Sequence, residues 1–350
     1  MLRPMKTVFW AGSYAAPAEE GLLRCAYDPD RGFSVTAGYR GLTNPSFFVF
    51  HPRLPVLYTV EETGEGAVCA WHVSGEGLRL LSRLPSGGAD PCHLALSADG
   101  AWLYAANYTG GSAACFALGP EGALTERTDL RQHHGRGPNP LRQEAAHVHC
   151  AFPEGDRLLL CDLGLDALFV YQNVGGHLEE AARVPVPAGQ GPRHLAAVPA
   201  FPALRYCVTE LGAAVLVFRE DPAGDLSLMA VRPALPPEAL APAAAADNTA
   251  AAIHPAADGK HLLVSHRGLD AIAVLPLDDR GLPGEAVLSP CVRTPRDFLP
   301  LRQDVLVASQ RDGVIRAYRL AGQRLTPLSW EMPAPCPVCL QKEGGGFPAA

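Results

Sequence analysis

The stretch Asp90–Tyr108, DPCHLALSADGAWLYAANY, decides the fold because the chain repeats it. It reads as a Pro-led apolar strand, an Asp-Gly turn, and a second apolar strand ending in a polar residue. The same plan returns in NPSFFVFHPRLPVLYTVEE (Asn44–Glu62), EAAHVHCAFPEGDRLLLCDL (Glu144–Leu163), GPRHLAAVPAFPALRYCVTEL (Gly191–Leu211), DNTAAAIHPAADGKHLLVSHR (Asp247–Arg267) and TPRDFLPLRQDVLVASQ (Thr294–Gln310). A seventh copy is split: its later strands, Lys6–Ala15 and Leu22–Tyr27, open the chain, and its first strand, Cys336–Leu340, closes it. The residues that open the first strands are Pro45, Pro91, Ala146, Pro192, Asn248, Pro295 and Pro337, at intervals of 42 to 56 residues. Repeats of roughly 40–50 residues with four strands each are propeller blades. The expected fold is all-β, a seven-bladed β-propeller closed by sharing one blade between the N- and C-terminal strands, which leaves no open sheet edge. Residues 1–341 form a single domain in this reading, and 342–350 a disordered tail. The two long intervals mark insertions at Gln132–Ala145 and Pro233–Asp247. The Pro/Ala-rich run Pro233–Ala246 reads as a loop with a short helical turn.

The 350 residues are 48% hydrophobic and 19% charged, the composition of a globular chain with a large core. A net charge of −7 argues against nucleic-acid binding, which needs basic patches to displace counterions. No apolar run reaches the roughly 18–20 residues that span a bilayer. The start, MLRPMKTVFWAGSY, runs from a basic residue straight into a strand pattern, unlike a signal peptide. A cytoplasmic protein with no membrane partner is expected, as a monomer or weak homodimer. Cys69, Cys92, Cys115, Cys150, Cys161 and Cys207 sit inside apolar runs, as small hydrophobes of a reducing compartment. The Cys336-Pro337-Val338-Cys339 pair has no second pair and falls in a closing strand, so it reads as structure.

The repeats turn the sequence into columns. The residue after each opening position is Ser46, Cys92, His147, Arg193, Thr249, Arg296 or Val338. Two residues on, the column is Phe48, Leu94, His149, Leu195, Ala251, Phe298 and Leu340, nearly all apolar. Side chains two apart share a strand face, so the varied column lies toward one channel mouth and the apolar one in the core. The second strands end in Ser13, Glu62, Asn107, Asp162, Glu210, Arg267 and Gln310, with a one-residue ambiguity in some copies. That column is polar throughout and, by antiparallel pairing, lies at the same mouth. Asn107, Asp162, Asp166 and Gln310 read as strand caps. His147, Arg193, Glu210, Arg267 and Arg296 read as functional, because several arginines at one mouth need an anion. His147 and His149 share a face and have the spacing of a metal pair, yet the apolar column around His149 makes it a packed core histidine. No metal and no cofactor are expected. His133 and His134, in the first insertion, read as a solvated loop.

The segment GRGPNPLRQEAAHVHCAFPEGDRLLLCDLGLD resembles the signature stretch of propeller-type lactonases, the bacterial 6-phosphogluconolactonases. GPRH with VTELG, LLVSHRGLDAIAVL and TPRDF with VLVASQ continue the resemblance in the same order, from AGSY to CPVCL. The same family includes fungal 3-carboxy-cis,cis-muconate lactonizing enzymes. The resemblance implies a metal-free enzyme acting on a small anionic sugar-acid lactone, most simply 6-phosphogluconolactone in the pentose phosphate pathway. It also implies catalytic roles for His147, Arg193, Glu210 and Arg267, four positions the columns had already selected. The chain departs from the family at His266, where the resemblance implies an Asn, and His266 is expected to bear on substrate fit; Ala146 is a second departure.

Lactone hydrolysis needs an activated water, a stabilised oxyanion and a proton for the leaving alkoxide. His147 is expected to act as general base with Glu210 orienting it or sharing the role, and Arg193 to stabilise the oxyanion. Arg267 and Arg296 are expected to hold a phosphate or carboxylate, Gln143 and Glu144 to bind sugar hydroxyls, and His194 to contact the substrate. Three rivals carry different chemistry: a muconate-type cyclase, a noncatalytic protein-binding propeller, and a calcium-dependent lactonase. Arg193 and Arg267 at the mouth would repel the calcium ion of the last.

Overall fold

The computed structural model describes residues 6–240 and 247–344. These form seven four-stranded sheets and one short 3-10 turn, Pro237–Leu240, so the all-β, seven-bladed expectation holds. Six sheets follow in chain order: Phe48–Pro85, Pro91–Gln132, Val148–Pro185, Pro192–Pro233, Thr249–Pro290 and Pro295–Pro333, numbered 1 to 6 below. Thr7–Ser13, Leu22–Asp28, Gly32–Tyr39 and Pro337–Lys342 make the seventh. The helical turn expected in the second insertion is Pro237–Leu240; residues 241–246 lie outside the described residues. The chain divides into two compact units. Unit 1 comprises Met1–Thr7, Ala26–Ser34 and Val184–Leu340; unit 2 comprises Val8–Cys25, Val35–Arg183 and Gln341–Ala350.

Within each unit the core lies between successive sheets. In unit 1, Tyr206, Val208, Val215 and Val217 of sheet 4 pack on Leu262, Val264, Ala273 and Leu275 of sheet 5. The intervening residues of sheet 5, Leu263, Ile272 and Val274, turn the other way onto Val305 and Val307 of sheet 6. Unit 2 repeats the scheme: Tyr58, Val60 and Val68 meet Leu103, Ala105 and Ala114, while Tyr104, Ala106 and Ala113 meet Leu158, Leu160 and Ala167. Period-two alternation thus serves two neighbours, which is why these strands read as continuous apolar runs. Each fully buried aliphatic side chain contributes about 1.5–3 kcal/mol. Buried tyrosines satisfy their hydroxyls on the turns of the next sheet, Tyr58 on the Gly122 carbonyl at 2.7 Å and Tyr206 on that of Gly281 at 2.8 Å.

The C-terminal strand runs through Lys342, and Glu343, expected in a disordered tail, is firmly held. Its carboxylate accepts hydrogen bonds from Trp10 Nε1 at 2.7 Å, Arg24 Nε at 2.6 Å and Arg24 Nη2 at 2.8 Å. Its amide donates to the Val8 carbonyl at 3.1 Å. Burial opposes ionisation of Glu343, but the Arg24 and Trp10 hydrogen bonds outweigh it and keep the carboxyl below its ordinary range. Residues 345–350 lie outside the described residues. Glu343→Ala leaves Arg24 and Trp10 without this acceptor and is expected to lower stability by about 1–3 kcal/mol, read as an earlier urea unfolding midpoint. An unchanged midpoint would show that the C-terminal segment carries no such weight.

Candidate functional site

The first strands begin irregularly. In sheets 2, 4 and 6 the register passes from Pro91 to His93, from Pro192 to His194 and from Pro295 to Asp297, so Cys92, Arg193 and Arg296 sit at bulges. In sheet 3 the skipped residue is His149. The residue before each opening proline is left-handed at Asn44 (φ 41°), Asp90 (54°), Gly191 (63°), Thr294 (49°) and Cys336 (38°). A bulge re-aims a side chain that a regular strand would fix on one face. The strict alternation used to separate a functional column from a core column therefore does not apply across these positions.

The polar column at the end of the second strands resolves into two, offset by one residue. Asn107, Asp162, His266 and Ser309 lie opposite the first residues of the third strands, Ser112, Ala167, Ala271 and Val314. Thr209 has the same place, its hydroxyl donating to the Ala214 carbonyl at 3.2 Å and accepting from the Ala214 amide at 3.0 Å. All five are fully buried and serve as caps, as expected for Asn107 and Asp162. The residues that follow, Tyr108, Glu210 and Arg267 among them, carry the polar groups of the candidate site.

In unit 1 two arginines close on one carboxylate. Arg193 Nε and Arg267 Nη2 lie 2.8 and 2.9 Å from Glu210 Oε2. Arg193 Nη1 also donates to the Ala251 carbonyl at 2.7 Å, and Arg267 Nη2 to that of Ala250 at 3.0 Å. Arg193 and Glu210 are each only 3% exposed. The His194 ring meets Arg193 Nη1 at 3.2 Å. Arg267 Nε is buried with no hydrogen-bond partner among the described residues. Burial, then the charges of Arg193 and Arg296 against the counter-charge of Glu210, push the Arg267 guanidinium down to about 10, so it stays cationic at neutral pH. Two guanidiniums on Glu210, with the Arg296 charge acting on Arg267, leave a surplus of positive charge suited to an anion.

His266, expected to bear on substrate fit, is fully buried scaffold instead. Its Nε2 meets the Ala234 carbonyl at 3.1 Å and its Nδ1 meets Asn248 Nδ2 at 3.1 Å. It ties the strand of Arg267 to the second insertion. Burial, reinforced by the Arg267 charge, pushes its imidazole down from 6.5 to about 4.

Unit 2 holds His147, 4% exposed. Its backbone amide donates to Asp162 Oδ1 at 2.9 Å, and its Nδ1 lies 3.0 Å from the Tyr108 carbonyl. Donation from Nδ1 leaves Nε2 as the reactive nitrogen. Nε2 lies 3.2 Å from Glu144 Oε1, whose side chain is 56% exposed. The Tyr108 ring stacks on the imidazole, centroids 4.5 Å apart and planes at 14°, and its hydroxyl meets Arg142 Nη2 at 3.3 Å. Gln143 is fully buried: Nε2 donates to the Leu163 carbonyl at 2.9 Å and Oε1 accepts from the Asn139 amide at 3.2 Å. It frames the loop rather than facing a substrate. Gly164 is required here, since a Cβ would lie 1.9 Å from the Ala145 carbonyl oxygen and 2.9 Å from the His147 amide. His149 is buried, edge-on to Tyr108 at 5.5 Å, as expected of a core histidine. His133, expected in a solvated loop, is buried with Nδ1 2.7 Å from Asp162 Oδ2. Its partner is 29 residues away, beyond the reach of local sequence reading.

Of the expected residues, Arg193, Glu210 and Arg267 come together in unit 1, and His147 and Glu144 in unit 2. Sequence reasoning missed Tyr108, which serves through a main-chain carbonyl and a ring face, and it assigned to His147 a carboxylate that two arginines engage.

A seven-bladed all-β scaffold carries a histidine–carboxylate pair in unit 2 and a buried arginine cluster in unit 1. The family model described as Lactonase, 7-bladed beta-propeller, matches residues 8–342, and the chain belongs to that family. It is similar to a protein of Bacillus subtilis (strain 168) named 6-phosphogluconolactonase, 30% identical over 353 residues that cover 96% of this chain and 98% of the relative. Among solved structures it resembles the Pseudomonas aeruginosa periplasmic gluconolactonase PpgL, with a TM-score of 0.87 and 26% identity over 97% of this chain and 99% of that one. A Lactobacillus plantarum protein is similarly close, with a TM-score of 0.87 and 28% identity over 97% and 100%. Among the described residues no helix is long and apolar enough to cross a membrane.

The folded state disfavours the charged form of His266. Its contribution to stability is complete above pH 6.5 and is lost as the pH falls toward about 4. His266→Gln keeps one acceptor and one donor and does not titrate. It is expected to flatten the acid limb of the stability profile by ~3 kcal/mol, measured by urea unfolding at stepped pH. An acid limb identical to that of the parent would contradict this account of His266.

Proposed function

We propose that the protein hydrolyses a phosphorylated sugar-acid lactone, 6-phosphogluconolactone to 6-phosphogluconate. The observation that carries the reading is the pairing of His147 Nε2 with Glu144 at 3.2 Å while Nδ1 is committed to the Tyr108 carbonyl. With Nδ1 donating to the Tyr108 carbonyl, Nε2 is the nitrogen that takes a proton, and the Glu144 carboxylate facing it stabilises the imidazolium that forms. Water attacks the lactone carbonyl carbon as its proton passes to Nε2. The carbonyl oxygen becomes an oxyanion, the ring C–O bond breaks, and the leaving alkoxide takes the proton back from His147. The products are a hydroxyl and a carboxylic acid, which releases the remaining water proton to solvent and becomes a carboxylate.

The Arg193, Arg267 and Arg296 cluster of unit 1 carries positive charge suited to the substrate's anionic group. Glu210, engaged by Arg193 and Arg267, serves in this reading to align the two guanidiniums. The names of the relatives support the substrate class: a 6-phosphogluconolactonase at 30% identity and a gluconolactonase at 26%.

The test is hydrolysis of 6-phosphoglucono-1,5-lactone and of unphosphorylated glucono-1,5-lactone by purified protein, each against its spontaneous rate. The phosphorylated substrate is expected to be preferred. Arg267→Ala is expected to raise its KM about tenfold or more, from the loss of a charge-assisted bond worth roughly 1.5–3 kcal/mol, with a much smaller change in kcat. A rate no greater than the spontaneous one on both lactones would overturn the proposal. Equal KM values in parent and Arg267→Ala would remove Arg267 from the anion site.

A further inference from the structure

We infer that His133, the second residue of the first insertion, is a positioning residue for this reaction, acting through Asp162 on the backbone that carries His147. The inference rests on the reading of His147 as the base.

Asp162 divides its carboxylate between two tasks. Oδ1 accepts the amides of His147 at 2.9 Å and Leu165 at 3.0 Å, while Oδ2 meets His133 Nδ1 at 2.7 Å. The Asp162 side chain is wholly buried and that of His133 is 2% exposed. A buried carboxylate is costly unless its oxygens are engaged, and here each oxygen has a donor. The opposite face of the imidazole is fixed as well: Nε2 lies 3.0 Å from the Tyr171 hydroxyl, and the ring stacks on Phe169 at 3.9 Å.

Comparison among the sheets shows what is special here. The buried caps at the same place in sheets 2, 4, 5 and 6, Asn107, Thr209, His266 and Ser309, are not carboxylates, and each makes hydrogen bonds there, although Asn107 Oδ1 has no partner among the described residues. In sheet 1 the place falls to Glu61, which is partly exposed and paired with Arg83 at 2.7 Å. The cap beneath His147 is a carboxylate, and the insertion that brings Glu144 to His147 begins with the histidine that engages it. A neutral cap already serves the fold in four other sheets. The carboxylate takes the His147 amide on one oxygen and His133 on the other, so the histidine fixes its orientation against that amide. Gln143, bonded to the Leu163 carbonyl at 2.9 Å, ties the other end of the insertion to the same turn. His147 and Glu144 are thereby set against each other by two buried anchors, and misplacement of a catalytic group by about 1 Å costs on the order of 100-fold in rate.

The test uses His133→Phe, which keeps a ring on Phe169 and loses both nitrogens, and His133→Asn, which keeps a donor near the Nδ1 position. Glu144→Gln is assayed beside them on 6-phosphoglucono-1,5-lactone, with thermal unfolding to establish that each variant is folded. His133→Phe is expected to lose about 10- to 100-fold in kcat with KM within about twofold, while His133→Asn stays within about threefold of the parent. A purely structural residue would lower the unfolding temperature and leave kcat of the folded protein unchanged. A folded His133→Phe with parental kcat, beside a Glu144→Gln that has lost turnover, would overturn the inference and leave the catalytic reading standing. Parental kcat in both would remove the catalytic reading itself. Should His133→Phe not fold, Asp162→Asn replaces it with the same expected split between kcat and KM, and parental kcat there overturns the inference.

Discussion

At the ends of the second strands of sheets 2 to 6, a buried polar side chain lies opposite the third strand, and its hydrogen bonds have to be found inside the protein. Asn107 bonds Ser112 at 3.0 Å, Thr209 both polar groups of the Ala214 backbone, and Ser309 the Arg293 carbonyl at 2.6 Å and the Asp312 amide at 3.0 Å. An unsatisfied polar group at such a depth costs about 1–3 kcal/mol, so each cap dictates the path of the following turn. Once the cap fixes the turn, the next residue has nowhere to go but out of the sheet. That residue is the one free to vary in chemistry, and in this chain it is Tyr108, Glu210 or Arg267.

The two charged groupings follow from this arrangement in different ways. The arginine cluster is built by bulges and strand ends: Arg193 leaves the regular register, and Glu210 and Arg267 follow caps. The histidine pair is built by an insertion folded down on its sheet, with Gln143 and His133 as anchors and Gly164 giving the clearance. In both, the scaffold residues are as buried as the core, which makes the positions of the outward groups reproducible.

Much of this was legible in the repeat. Aligned copies gave the number of sheets and the strand ends; the varied column after each opening residue exposed His147 and Arg193, and the column that is polar in every copy held Glu210 and Arg267. Three features were not legible. The one-residue offset between cap and functional residue was blurred because the turns differ in length and the first strands carry bulges. Tyr108 contributes a carbonyl and a ring face, neither of which has a distinctive signature in sequence. Gln143 and His133 sit in an insertion with no counterpart to align, so a buried framework glutamine looked like a ligand for sugar hydroxyls and a buried ionic partner looked like a solvated loop.

The central claim is that the cap column builds the fold while its outward neighbours and the His147 pair perform the chemistry. The most direct test compares His147→Ala with Thr209→Val, a near-isosteric change that removes the cap hydroxyl, by measuring lactone turnover and urea unfolding on the same samples. The account predicts that His147→Ala loses about 100-fold or more in kcat with its unfolding midpoint nearly unchanged. Thr209→Val should lose about 1–3 kcal/mol of stability while the folded fraction turns over at the parental rate. Full turnover in His147→Ala, or lost turnover with undiminished stability in Thr209→Val, would contradict it.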